Sequence, residues 1–453
     1  MQIHAKSALL GSRWGQNVRV TLKDGKIDLI KEDVARTPQD ECVDCLLPAL
    51  ANLHSHAFQR AMAGMTEFRT SGQDSFWTWR SLMYRFLEHL TPDQVEAIAA
   101  LVFMEMQEAG YSSVGEFHYL HHQAGGAQHD DPSELSQRIF AAAQTTGIGL
   151  THLPVLYTYG GVNQEPLSGD QLRFANDVDR FLRLVDKCRV NLSLLPDDAS
   201  VGIAPHSLRA TSPEDLALVL AQTPEGPIHI HTSEQLREVS EVEEKLGQRP
   251  VAWLLDNVDV NKRWCLIHAT HMTEDETIKL ARSSAVAGLC PITEANLGDG
   301  PFNGTTYLEH GGRFGLGSDS NVRISLTEEL RTLEYSQRLR DMKRNVLAVD
   351  GGSTGKALYC GAAVGGAQAL ARDSGEIAEG KLADLVAIDR AHPSLSALND
   401  EQLLDGLCFA APDRVISEVW SAGRHMIKNG QHVERDCILQ RYNSAIRALL
   451  DAL

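Results

Sequence analysis

Apolar positions along this chain fall into three regimes. Over the first ~45 residues, short apolar runs alternate with turns, as in a β-rich segment. These runs are Ile3-His4-Ala5, Val18 to Leu22, and Ile27 to Ile30 after the turn Lys23-Asp24-Gly25-Lys26. Asp24-Gly25 is a hairpin signal, because the glycine takes up the positive φ that a tight turn needs. The same character returns at Leu385 to Ile388 and Val415 to Trp420, with Ala422-Gly423 and Asn429-Gly430 as turns. Together the two ends predict a small β-sandwich domain built from residues 1–46 and 376–433. A terminal helix over 434–453 follows it.

Residues 47–375 behave differently. Apolar, strand-like runs alternate there with helical stretches, which is the pattern of βα units and a parallel sheet. The runs are Leu46 to His56, Ser113 to Tyr119, Ile148 to Tyr157, Val201 to His206, Ile228 to His231, Cys265 to His268, Ala285 to Pro291 and Phe314 to Asp319. Credible helix starts lie between them: Thr91-Pro92-Asp93-Gln94, Ser212-Pro213-Glu214-Asp215 and Thr273-Glu274-Asp275-Glu276. Each offers a capping side chain, two place Pro in the first turn, and two complete a capping box. Eight such units predict an α/β fold, a (β/α)8 TIM barrel. His56, Tyr119, His206, His231, His268 and Asp319 all end their runs, so the barrel would gather them on its carboxyl face, where such folds keep their active sites.

Composition narrows the partners. A formal net charge of -18 disfavours nonspecific binding to nucleic acid or an anionic membrane. It leaves room for an anionic small molecule held by local arginines. The N-terminus lacks the basic-then-apolar pattern of a secretory signal. No apolar stretch approaches the roughly 20 residues that span a bilayer. The eight cysteines are scattered rather than spaced as a disulfide framework, which fits a reducing cytoplasm. Cys42-Val43-Asp44-Cys45 has no second CxxC to complete a zinc ribbon, and it reads as structural.

Four islands carry the chemistry: His54-Ser55-His56, His231 with Glu234 three residues on, His268, and Asp319. Three imidazoles and one carboxylate suit a borderline ion such as Zn²⁺, and an open position would let it activate water. In a strand, His54 and His56 project to one face and can reach one ion. His229 repeats that spacing with His231 and reads as a buried neighbour of the site. Glu234 has two readings, a proton relay to a leaving nitrogen or an acid favoured by the dipole of the helix it precedes. The His-rich stretch His118, His121, His122 and His129 reads as solvated loop.

This ordered set on eight βα units, with β segments at both ends, resembles the amidohydrolase superfamily. Gly380-Lys381-Leu382-Ala383-Asp384-Leu385-Val386 is similar to that superfamily's return into its small β domain. The fourth run ends Ala204-Pro205-His206, without a lysine to bridge two metals, and the His-x-x-Glu after the fifth resembles the deaminase branch. The resemblance implies one Zn²⁺ per subunit on His54, His56, His231 and Asp319, with Glu234, His268 and Asp319 as catalytic groups. More narrowly, the stretches Leu53 to Arg60, Phe76 to Arg80, Gly115 to Tyr119 and Ala204 to Arg209 resemble the formimidoylglutamate deiminase family of histidine degradation. That implies substrate contacts from Gln59, Arg80, Tyr119, His206 and Arg209. Guanidinium forks suit a dicarboxylate. Arg80 is expected on a long aromatic loop after the first strand. The alternatives are a deaminase of an aminated heterocycle (guanine, a pterin or an adenosine derivative) and a noncatalytic scaffold. A homodimer is compatible with such a barrel.

Overall fold

A computed structural model of the chain describes residues 1–67 and 76–452, apart from the side chains of residues 76–82 and 170. Strands β1 (Gln2–Leu10), β2 (Arg13–Lys23), β3 (Lys26–Lys31) and β4 (Glu41–Pro48) open it. Next come β5 (Leu50–Ser55), β6 (Tyr111–His118), β7 (Gly149–Leu156), β8 (Ser200–Val201) and β9 (Ala204–Pro205). Then follow β10 (Ile228–Thr232), β11 (Trp264–His268), β12 (Val286–Leu289) and β13 (Arg313–Leu316). β14 (Leu385–Ile388), β15 (Ile416–Ser421), β16 (Arg424–Lys428) and β17 (Gln431–His432) lead to the terminal helix Arg435–Leu450.

The strands form two sheets. One joins the chain ends in the order β17-β16-β15-β14-β4-β1-β2-β3. Its core holds Val18, Val20 and Leu22, every second residue of β2, together with Leu385 and Trp420. The other runs β10-β11-β12-β13-β5-β6-β7-β8, with β9 beside β7. All its pairings are parallel, and β5, β6, β7, β10 and β11 are buried along their whole length, as strands covered on both faces should be. The sheet closes into a barrel where the two ends of this order meet, the β8–β9 segment against β10. Ile203 N–H donates to Pro227 O and His229 N–H to Ile203 O, both at 3.0 Å. A Cβ at Gly202 would lie 2.5 Å from Pro227 O, so only glycine permits this approach.

The structure departs from the sequence reading at several points. The run from Leu46 is shared between sheets: β4 keeps Leu46 to Pro48 in the terminal sheet, and the barrel begins at Leu50. The fourth barrel strand is two short pieces, broken at the glycine that lets it close. The connection after β5 contains a helix, Phe76–His89, rather than only loop, and its backbone includes Arg80. His118, His121 and His122 are buried, not solvated. His121 Nε2 lies 3.0 Å from Val155 O and His122 Nε2 2.6 Å from Ala175 O, so backbone carbonyls replace water. Cys42 is exposed while Cys45 is buried on β4, as residues three apart on a strand must face opposite ways.

Buried ion pairs fasten the two sheets together. Arg372 donates to both Asp384 oxygens at 2.5 and 2.9 Å and to Asp198 Oδ2 at 2.8 Å. Arg424 grips the same Asp198 carboxylate at 2.6 and 2.8 Å. Among the described residues, no helix is long and apolar enough to cross a membrane.

Candidate metal centre and active-site cleft

His54 and His56 lie at the end of β5, and the chain is pinned there to the segment after β13. Asp319 N–H donates to His54 O at 2.9 Å, and His56 N–H returns a bond to Asp319 O at 3.0 Å. Side chains reinforce the seam. Asn52 Nδ2 donates to Ser318 Oγ at 2.7 Å, Ser318 Oγ to Asn321 Oδ1 at 2.6 Å, and Asn321 Nδ2 to Ser55 Oγ at 3.1 Å. The buried Glu116 of β6 accepts Ala57 N–H at 2.8 Å and sets the turn that follows His56.

His231, on β10, completes a cluster. Ligand atoms of His54, His56, His231 and Asp319 all lie within 4.8 Å of one another. His54 and His231 face each other Nε2 to Nε2 at 3.1 Å. Asp319 Oδ1 is 3.4 Å from His54 Nε2 and 3.3 Å from His56 Nε2. The outer nitrogens explain the orientation: Nδ1 of His56 is 2.9 Å from Phe117 O, and Nδ1 of His231 is 3.1 Å from His206 O. Donating there puts the proton on Nδ1 and turns the Nε2 lone pair inward, as backbone carbonyls behind metal-binding imidazoles do. Burial pushes the His54 imidazole down to about 3 and lowers His56 and His231 too. Burial works the other way on Asp319, yet the neighbouring imidazoles, His54 first, hold it below the usual carboxylate range. Three uncharged nitrogen donors and an ionised oxygen therefore converge, a set that fits a divalent transition-metal ion.

Two proton-carrying groups adjoin the cluster. His268 Nε2 lies 3.8 Å from Glu234 Oε1 and 3.9 Å from Asp319 Oδ2, while its Nδ1 is 3.2 Å from Glu294 Oε1. Burial alone would lower His268, but Glu234, Glu294 and Asp319 together raise it above its ordinary value. Burial, with the Asp319 charge, raises the Glu234 carboxyl. His268 and Asp319 both hold left-handed backbone, with φ of +67° and +46°. Such conformations cost about 1–3 kcal/mol in a non-glycine residue and gather at functional sites.

His56, His231 and Asp319 of the cluster line a cleft at this end of the barrel. Gln59, Tyr119, His206 and Arg209 line it together with Glu234 and His268. Gln59 Nε2 donates to Tyr119 Oη at 2.7 Å, and Gln59 Oε1 is buried with no hydrogen-bond partner among the described residues.

Comparison with known proteins follows the same outline. Residues 45–426 match the model of the amidohydrolase family, and residues 1–44 match the formimidoylglutamate deiminase HutF N-terminal domain. The chain belongs to the amidohydrolase family. Among amidohydrolase relatives, the formimidoylglutamate deiminase of Pseudomonas aeruginosa is 46% identical over 452 residues, 99% of each chain. An amidohydrolase structure from Brucella melitensis superposes with a TM-score of 0.95 at 46% identity, again over 99% of each chain. An adenosine deaminase from Xanthomonas campestris with bound zinc has a TM-score of 0.81 at 20% identity, covering 99% of this chain and 98% of its own.

In this amidohydrolase the residues singled out from sequence converge, except that the Arg80 side chain lies outside the described residues. His229 points to the barrel floor, its Nε2 2.8 Å from Ala369 O. Sequence reading missed Glu116, Glu294 and Glu238. Glu116 was visible as a carboxylate inside an apolar strand. Glu294 falls four residues past Cys290, at the start of the helix Pro291–Leu297. Glu238 falls four past Glu234, in the first turn of the helix Leu236–Leu246.

Proposed function

We propose that this chain is a zinc-dependent formimidoylglutamate deiminase of histidine degradation. It converts N-formimidoyl-L-glutamate and water into N-formyl-L-glutamate and ammonia. The observation that carries the reading is the 46% identity, over 99% of both chains, with the Pseudomonas aeruginosa enzyme of that activity. We assign His54, His56, His231 and Asp319 as ligands of one Zn²⁺ per subunit. Their donor types support it, as does the zinc bound by the structurally similar Xanthomonas campestris deaminase. Zinc in such a set supplies Lewis acidity, which brings a water molecule within reach of deprotonation near neutral pH.

The remaining work belongs to side chains. His268, with Nε2 between Glu234 and Asp319, orients the attacking water and takes part in removing its proton. The water oxygen bonds to the formimidoyl carbon. The terminal nitrogen, already carrying two protons in the amidinium form of the substrate, takes a third from Glu234 and leaves with the electron pair of its carbon–nitrogen bond as ammonia, while the hydroxyl left on the carbon gives its proton to Asp319. The carbon keeps the oxygen as a formyl carbonyl. Arg80 and Arg209 are assigned to the substrate carboxylates, and Gln59, Tyr119 and His206 to its polar remainder.

The deciding experiment compares ammonia release from N-formimidoyl-L-glutamate with release from guanine, a pterin and adenosine derivatives. Turnover of the linear amidine alone is expected. Turnover of a ring compound with none of the amidine would overturn the assignment. A cytoplasmic location belongs to the same proposal, supported by eight cysteines that are all free thiols, and so does a homodimer, with which such a barrel is compatible. Fractionation and size-exclusion chromatography test those two points.

A further inference from the structure

Glu234 is carried by a turn rather than by a regular element. The chain leaves β10 at Thr232, passes through Ser233 with a left-handed φ of +52°, and enters the helix Leu236–Leu246 two residues after Glu234. A short irregular turn would ordinarily let its side chain wander by more than general acid catalysis tolerates. Here every residue of the turn is tied down. Ser233 N–H donates to Glu238 Oε1 at 3.2 Å, and Glu234 N–H donates to Glu238 Oε2 at 3.0 Å. The Ser233 carbonyl accepts His271 N–H at 2.9 Å. Next along, Gln235 Nε2 donates to Asp299 Oδ1, fixing the residue on the far side of Glu234.

Glu238 is therefore not an ordinary first-turn acid. It is buried, both of its oxygens are spent on the backbone of the turn, and it faces inward from a helix on which Glu243 and Glu244 are exposed. Arg209, from the loop after β9, lies close enough for its charge to act on Glu238 and Glu234 alike. We infer that Glu238 is a positioning residue for the deimination: by gripping the Ser233 and Glu234 amides, it aims the Glu234 carboxyl at the departing nitrogen. This rests on the reaction proposed above.

The test is the Glu238→Gln variant, made alone and on a Glu234→Gln background, with the wild-type chain assayed beside both. One carboxamide oxygen can still accept an amide proton, but the NH₂ group opposes the other. Expected are a fall in kcat of at least tenfold, KM within threefold of wild type, unchanged zinc content and an unchanged Tm. On the Glu234→Gln background the same substitution should produce no further loss, because Glu238 acts through a group already removed. Wild-type kcat in Glu238→Gln, or an undiminished loss in the double variant, would overturn the inference. If Glu238→Gln loses its fold, Glu238→Asp serves instead, since a carboxylate one methylene shorter cannot span both amides, and the same pattern is expected. A wild-type chain that releases no ammonia from N-formimidoyl-L-glutamate would defeat the proposed reaction itself and is told apart by that control.

Discussion

An acid that must deliver a proton at neutral pH cannot keep the ordinary glutamate pKa of about 4.3. Burial beside Asp319 raises Glu234, and the three carboxylates around His268 raise that imidazole as well. Glu234→Gln is predicted to lower kcat by about 10²–10⁴-fold, the usual worth of a positioned acid. Steady-state kinetics with metal analysis checks this, and near-normal turnover would remove Glu234 from the mechanism. Arg209→Lys should raise KM roughly tenfold or more, because an ammonium cannot reproduce a two-pronged bond to a carboxylate. At this scale His54, His56, His231, His268 and Asp319 were legible as metal-type residues ending apolar runs. Glu238 was not, because its partners are backbone amides, which leave no mark in a sequence.

Elements place these groups through their seams. The first and last barrel strands, β5 and β13, are sewn by Asn52, Ser318, Asn321 and Ser55, and the seam carries three of the four candidate ligands. Asn321→Ala should weaken zinc binding by about 10–100-fold, the effect usual for supporting partners, as read by competition with a chelating dye. Asp198 gives the matching prediction for the junction of the two sheets. Burial opposes its ionisation, but Arg424 and Arg372 hold its carboxyl below the ordinary value. Its contribution to stability is thus fully present above the unfolded carboxylate pKa of about 4 and is lost as the pH falls through the lower folded value. Arg372→Met should leave Asp198 and Asp384 less compensated and destabilise by about 3–5 kcal/mol, with thermal melts as the measure. The periodicity of βα units was readable from apolar runs and capped helix starts. Where β4 ends and β5 begins was not, since Leu46 to Ser55 is apolar enough to serve either sheet.

For the whole molecule, candidate ligands from β5, β10 and the end of β13 make the ion a tie across the barrel. Dialysis against a chelator should abolish turnover and lower the melting temperature together, with both restored by added zinc, because an ion that binds only the folded state stabilises it by mass action. Loss of activity with an unmoved melting temperature would place the ion outside this cluster. The fold class was legible over nearly the full length, because strands buried on both faces must be continuously apolar. The closure of the barrel was not, since it depends on a glycine in the two-residue break between β8 and β9 and on backbone bonds.

The terminal sheet has a consequence for how the chain is made. Its middle joins β4 to β14, the first quarter of the polypeptide to the last. At about 5–20 residues per second, Leu385 leaves the ribosome on the order of half a minute after Pro48. Through that interval the buried face and free edge of β1 to β4 have no partner, while the barrel assembles behind them. The nascent chain must be kept from pairing that edge with another copy, and it is during synthesis, more than in the finished enzyme, that this architecture is exposed to aggregation.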